Sequence, residues 1–170
     1  MAHSDPVCDL AHGIGEASLD GRTLVAVFAS PVAGYLLHFG HHLGFRTVLV
    51  DPVPVADQVA ADQVASALDP SFVDGTADVV VTDHDRPELG SLLQAALALP
   101  ARWIGVMGSI RHTAPHVAAL RSLGTSEADI ARVHRPIGLN IGSHTPPEIA
   151  VATLAGLLAD RSGRPGGFAF

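Results

Sequence analysis

Along this chain, short continuous apolar runs alternate with stretches whose apolar positions recur every three or four residues. Leu24 to Phe28 and Thr47 to Val50 are runs of the first kind, and between them Ala33, Leu36, Leu37, Gly40 and Leu43 recur at helical spacing. An uninterrupted apolar run is what a strand covered by helices on both faces requires, so this segment reads strand, helix, strand. The alternation continues. Val59, Ala60, Val64, Ala67 and Leu68 form a stripe within a doubled Ala-Asp-Gln-Val-Ala, predicting a helix from Ala56 to Leu68 that stops before Pro70. A third strand is expected at Asp78 to Thr82, a helix at Pro87 to Leu99 and a fourth strand at Arg102 to Met107. A helix beginning at Ser109 would lose an interior hydrogen bond at Pro115, so the next regular helix is expected to start nearer Thr113, and Gly124 ends it. Ser126 to Asp129 has the pattern of a capping box opening a short helix, a short strand begins at Val133, and the last helix runs from Pro146 to Asp160 behind Thr145 and Glu148.

The segment from Thr23 to Asp51 has the layout of a nucleotide-binding βαβ unit. Its turn, Ala29-Ser30-Pro31-Val32-Ala33-Gly34, aims backbone N–H groups and the positive end of a helix at one point, and Asp51 stands where an acidic residue can accept ribose hydroxyls. Against Gly-x-Gly-x-x-Gly, however, Ala29 and Pro31 occupy the first two glycine positions. Only Gly34 matches, in the place that allows close helix-to-strand contact, while Pro31 removes an N–H where phosphate would approach. The expectation is weak binding of NAD or NADP at best.

Three further strand ends carry candidate chemistry. Asp83-His84-Asp85 follows the third strand, and a histidine flanked by carboxylates is a candidate acid, base or metal ligand; helix capping by Asp83 or Asp85 is the alternative. Gly108-Ser109-Ile110-Arg111 follows the fourth, joining a flexible turn, a hydroxyl and a guanidinium in a way that suits an anion. The last loop contributes Asn140 and Ser143. The pattern predicts a three-layer α/β Rossmann-like domain: a parallel sheet in order 3-2-1-4-5 with helices on both faces. In open sheets of this kind ligands bind outside the carboxyl ends of the strands. The site is therefore expected where Ser30, Pro31, Val32, Asp51, Asp83, His84, Gly108, Ser109, Arg111, Asn140 and Ser143 converge.

At 170 residues, 48% of them hydrophobic, the chain is long enough for one domain with a buried core. We place that domain at residues 23 to 160, between an N-terminal arm (1 to 22) and a Gly/Pro-rich tail (161 to 170). The net charge is −7 and every basic residue is Arg, which argues against a nucleic-acid partner. No apolar run approaches the roughly 20 residues of a membrane span. The start lacks a secretory pattern and Cys8 has no second cysteine to pair with, so cytoplasm is the expected compartment. His38, His41 and His42 share the polar side of the first helix, where a solvated face explains them better than a metal site.

Gly108-Ser109-x-Arg111, the run Pro136-Ile137-Gly138-Leu139-Asn140-Ile141-Gly142, and Thr145-Pro-Pro-Glu-Ile-Ala150 resemble the C-terminal Rossmann domain of the XdhC/CoxI family over about Thr23 to Asp160. The resemblance implies an accessory protein that binds the molybdenum cofactor and helps to mature a molybdenum hydroxylase of the xanthine dehydrogenase type. This chain departs from the family pattern in its glycine-poor first turn, in Asn140 where Asp is usual, and in lacking a counterpart of the family's cysteine-bearing N-terminal domain. The expectation is therefore work alongside a separate cofactor-handling protein. A last helix apolar over most of its surface further predicts a homodimer. The readings from another class are an NAD(P)-dependent oxidoreductase, for which no Tyr/Lys pair or hydride-transfer set is present, and a non-catalytic interaction module.

Overall fold

The computed structural model describes residues 10–13, 21–53, 59–109, 111 and 113–167. Six strands form one parallel sheet: β1 (Thr23–Val27), β2 (Arg46–Val50), β3 (Gln63–Ala65), β4 (Ala77–Val81), β5 (Trp103–Val106) and β6 (Val133–His134). Their order is β3-β2-β1-β4-β5-β6. The helices are α1 (Pro31–His42), α2 (Leu89–Ala98), α3 (Pro115–Ser122), α4 (Glu127–Ile130) and α5 (Pro146–Arg161). β1 and β4 are buried at every position, because successive side chains point to opposite faces and both faces are covered. Val25, Val27, Val48, Val50, Val79 and Val81 meet Leu92, Leu93 and Leu120 of α2 and α3 on one face. Leu24, Ala26, Leu49 and Val80 meet Leu36, Leu37, Leu154 and Leu157 of α1 and α5 on the other.

The sheet order expected from the pattern holds and gains a sixth strand at one edge. Its third strand, however, comes from the stretch read as a helix from Ala56 to Leu68. Residues 59 to 62 lie outside any helix and Gln63–Ala65 is β3, while Ala56 to Gln58 are outside the described residues. The segment expected as the third strand is consequently β4, paired with β1. The free edge of β2 explains the change, since unpaired backbone groups there need partners. Val48 stands opposite Gln63 and Val50 opposite Ala65. Asp62 Oδ2 accepts from Thr47 N at 2.8 Å and from Thr47 Oγ1 at 2.9 Å. Val64, a member of the apparent stripe, is 58% exposed and had no core to face.

The last helix begins with Pro146 and extends one residue beyond the expected Asp160, to Arg161. Its apolar surface is covered within the chain, by α1 and the sheet on one side and by the Gly138 loop on another. Val151 remains 49% exposed. The surface that suggested a homodimer is thus largely used up internally. At the amino ends of the strands, fully buried Asp78 receives Arg102 Nε at 2.6 Å and Arg161 Nε at 2.8 Å, and Arg102 Nη1 also reaches Asp160 at 2.5 Å. Burial pushes the Asp78 carboxyl above the usual range, and the two guanidiniums offset only part of that rise. This cluster ties α5 to β4 and to the start of β5.

Candidate functional site

The carboxyl ends of β1 and β2 form the first crevice. Phe28 follows β1 with φ 73, a left-handed conformation that is an outlier for a bulky residue. Three strands hold it there: Phe28 N donates to Val50 O at 2.8 Å, and Thr82 Oγ1 donates to Phe28 O at 2.8 Å. Ser30 caps α1, its Oγ accepting from Ala33 N at 3.0 Å and contacting Thr82 Oγ1 at 3.1 Å. Pro31 is the first residue of the helix. Gly34 does not make the close contact its motif position suggested, since a Cβ there would meet nothing within 4 Å. Gly40 does so instead: a Cβ on it would stand 2.5 Å from Leu24 Cδ2, so α1 lies close on β1 nearly two turns further along.

Asp51, expected to face a ribose, is turned inward with its side chain 1% exposed. Oδ2 accepts from Ala29 N at 2.9 Å, and Oδ1 accepts from Val53 N at 3.0 Å and Arg86 Nη2 at 3.2 Å. Arg86 lies over the Phe28 ring, 4.7 Å from its centroid, and also approaches Glu88 at 3.5 Å. Burial works against its charge, but Asp51 and Glu88 outweigh that and raise its pKa. Asp83 does not cap α2. Its Oδ1 accepts from Asp85 N at 2.9 Å within the loop, and Glu88 precedes the helix without a side-chain bond.

The second crevice opens between the ends of β4, β5 and β6, where the last loop folds over it, and has a volume of about 770 Å³. A separate cavity of about 550 Å³ is lined by Ser30, Pro31, Tyr35 and His38. Val32, His84, Gly108, Ser109, Arg111, Asn140 and Ser143 all line the larger one, with Thr82 and His144. Asp51 and Asp83 line neither. The eleven expected residues thus separate into a converging group of seven, a pair at the first turn, and two carboxylates directed elsewhere. Among the described residues no carboxylate lines the larger crevice, although the chain holds 17. Glu148 comes nearest in sequence, but its Oε2 accepts from His144 N at 2.9 Å and Thr145 N at 3.0 Å, which hold its carboxyl below the usual range. Arg111 is exposed, and among the described residues its guanidinium makes no ion pair.

Two supports of this crevice escaped the sequence reading. Arg135 Nη2 donates to Ser109 O at 2.8 Å, and a Cβ on Gly108 would stand 2.7 Å from Arg135 Nε. Gly108, whose φ of 155 disfavours a side chain, leaves room for the guanidinium beneath the turn. Behind it lies buried His116, whose pKa burial and the Arg135 charge push below the ordinary 6.5. The register that sets Gly105 opposite His134 also brings Arg135 beside the Gly108 turn, so the signal existed only once β6 was known to flank β5. The second support is Gly138. With φ 82, it rests on α5 so closely that a Cβ would stand 2.9 Å from Ala152 backbone, and Gly156 provides the matching absence on the helix. Leu139 N donates to Ala152 O at 3.0 Å, fixing the loop that carries Asn140.

The polar face of α1 is partly engaged: His38 and His42 rings meet edge to face at 4.9 Å, and His41 Nδ1 lies 3.4 Å from Asp62 Oδ1. Cys8 lies outside the described residues. No described helix is long and apolar enough to cross a membrane.

Comparison with known proteins places this geometry among relatives. A crystal structure described as a xanthine dehydrogenase from Bacillus halodurans has the same fold, with TM-score 0.64 and 24% identity over 88% of this chain and 45% of that one. The uncharacterized protein YqeB of Escherichia coli K12 is 37% identical over 89 residues, which are 52% of this chain and 16% of YqeB. The chain therefore spans less than half the length of either relative. The family model for the XdhC Rossmann domain matches residues 24–157, which take in the sheet from Leu24 onward and α5 as far as Leu157, and the chain belongs to that family.

Proposed function

We propose that the second crevice holds an anionic, phosphate-bearing ligand, either the molybdenum cofactor or a nucleotide-like molecule, and that the protein is an XdhC-like accessory factor. In that role it assists maturation of a molybdenum hydroxylase together with a separate cofactor-handling protein. The observation that carries the reading is the lining: Arg111, His84, Ser109, Asn140 and Ser143 face one crevice without a carboxylate among the described residues, in a chain of charge −7. A crevice of donors without acids favours an anion, and Asn140 in place of the family's usual Asp removes a negative charge. The donor set fits a phosphate group held by Ser109 and Arg111, with Asn140 and Ser143 free to hydrogen-bond a heterocycle. When bound, the molybdenum cofactor would supply its metal centre to the partner enzyme. This chain's own residues would bind and orient its phosphate.

Mass spectrometry of ligands retained by protein purified from its own host tests the class of ligand, and calorimetry of that ligand on Arg111→Ala tests the site. Loss of a charge-assisted contact should weaken binding by roughly 1.5 to 3 kcal/mol. Unchanged affinity in a folded variant would remove Arg111 from the site. For the biological role, deleting the gene should lower the activity of a molybdenum hydroxylase in that host; full activity of every such enzyme would end the maturation reading.

A further inference from the structure

In a dinucleotide-binding βαβ unit, the carboxylate at the end of the second strand is offered to the ribose hydroxyls. Here three donors already occupy it. Ala29 N at 2.9 Å ties it to the first turn, Val53 N at 3.0 Å ties it to the following loop, and Arg86 Nη2 at 3.2 Å closes the outward side. The side chain is 1% exposed, so an approaching hydroxyl would have to displace one of these donors. The backbone donors belong to the turn and the loop, which leaves Arg86. Its position is fixed in turn by the Phe28 ring beneath it and by Glu88 beside it. Phe28 offers that ring from a backbone held in the left-handed region.

We infer that Arg86 is a specificity-determining residue that closes the ribose subsite of the first crevice, excluding dinucleotides and confining ligands to the second crevice. The guanidinium supplies to Asp51 the hydrogen bond that a ribose hydroxyl would otherwise supply, and its stacking on Phe28 covers the space a ribose would enter. Neither Pro31 nor the missing glycines produce this closure: Pro31 is not among the donors to Asp51, and Ala29 reaches it only through a backbone N–H that a glycine would offer equally.

The test is calorimetric titration of NAD+ and of NADPH into the millimolar range, with wild type, Arg86→Ala and the double variant Asp51→Asn, Arg86→Ala. The double variant removes the buried Asp51 charge together with its Arg86 partner and keeps an amide oxygen for a ribose hydroxyl, so it guards against misfolding of the single one. Wild type should show no saturable binding, and the variants should bind NAD+ at least roughly tenfold more tightly than the wild-type limit. Low-micromolar binding of either dinucleotide by wild type would overturn the inference by itself. So would folded variants that gain nothing, or a Pro31→Gly variant that gains as much with Arg86 intact. The titration does not involve Arg111 or the second crevice, so its failure and that of the proposed function are separable.

Discussion

The two crevices at the carboxyl end of this sheet are made of the same parts, a strand end, a turn, a helix start and an arginine, but the arginines are used in opposite ways. Arg86 at the first is bound to Asp51 and stacked on Phe28. Arg111 at the second lies exposed on a crevice without a carboxylate among the described residues. The glycines divide similarly. Gly34, at the motif position of the first turn, touches nothing a Cβ would disturb, whereas Gly138 and Gly156 at the second are pressed together. The lesson is that a binding motif's layout can persist while its acidic residue is taken up by a partner from a distant part of the chain.

The comparison can be broken most severely at Gly138. Gly138→Ala adds a Cβ at positive φ against the backbone of α5, and should cost about 3 kcal/mol in urea-induced unfolding, combining left-handed strain with overpacking. A neutral result would mean that the last loop is not held on α5 as described. The next largest effect is expected beneath the second turn. Arg135→Ala deletes the hydrogen bond to Ser109 O and should lower stability by about 1 kcal/mol, while weakening anion binding by more than that because the turn loses its position. Equal stability together with equal anion affinity would show that the Gly108 turn stands without Arg135.

A smaller effect is expected from His116. Its folded pKa lies below 6.5, so between the two values the unfolded chain binds more protons and stability rises with pH. The stabilisation is complete above 6.5 and is lost as pH falls through the window towards the folded value, with a slope of at most about 1.4 kcal/mol per pH unit for one proton. His116→Leu should flatten unfolding midpoints measured across that range. The smallest change tests the first crevice. Gly34→Ala lies inside α1 with open space around it, and should stabilise the protein by roughly 0.5 to 1 kcal/mol. A destabilised variant would restore the motif glycine to the contact its position suggests.

Much of the fold was legible because it rests on local rules. The apolar runs of β1, β2, β4 and β5, the proline-opened start of α5 and the Glu148 cap each reflect properties of a few adjacent residues. The candidate site was legible where strand ends and turn residues define it, and seven of the eleven expected residues line one crevice. Asp51 and Asp83 were not, because a carboxylate's role depends on the donors that reach it. For Asp51 the decisive donor, Arg86, is 35 residues away in sequence.

The sequence by itself determined most of the strands and helices, the parallel three-layer architecture, the family and the cation at Gly108-Ser109-x-Arg111, since hydrophobic period, capping and motif spacing are all written along the chain. Only the tertiary structure decided that Gln63–Ala65 would abandon a helical stripe to pair with β2, because an open sheet edge offers hydrogen bonds that a local pattern does not record. It alone brought Arg135 beneath Gly108, set Gly138 against α5 and joined Arg86 to Asp51. Each of these depends on groups distant in the chain meeting within a few ångströms, where the strength of a charge or the room for a methyl group is set.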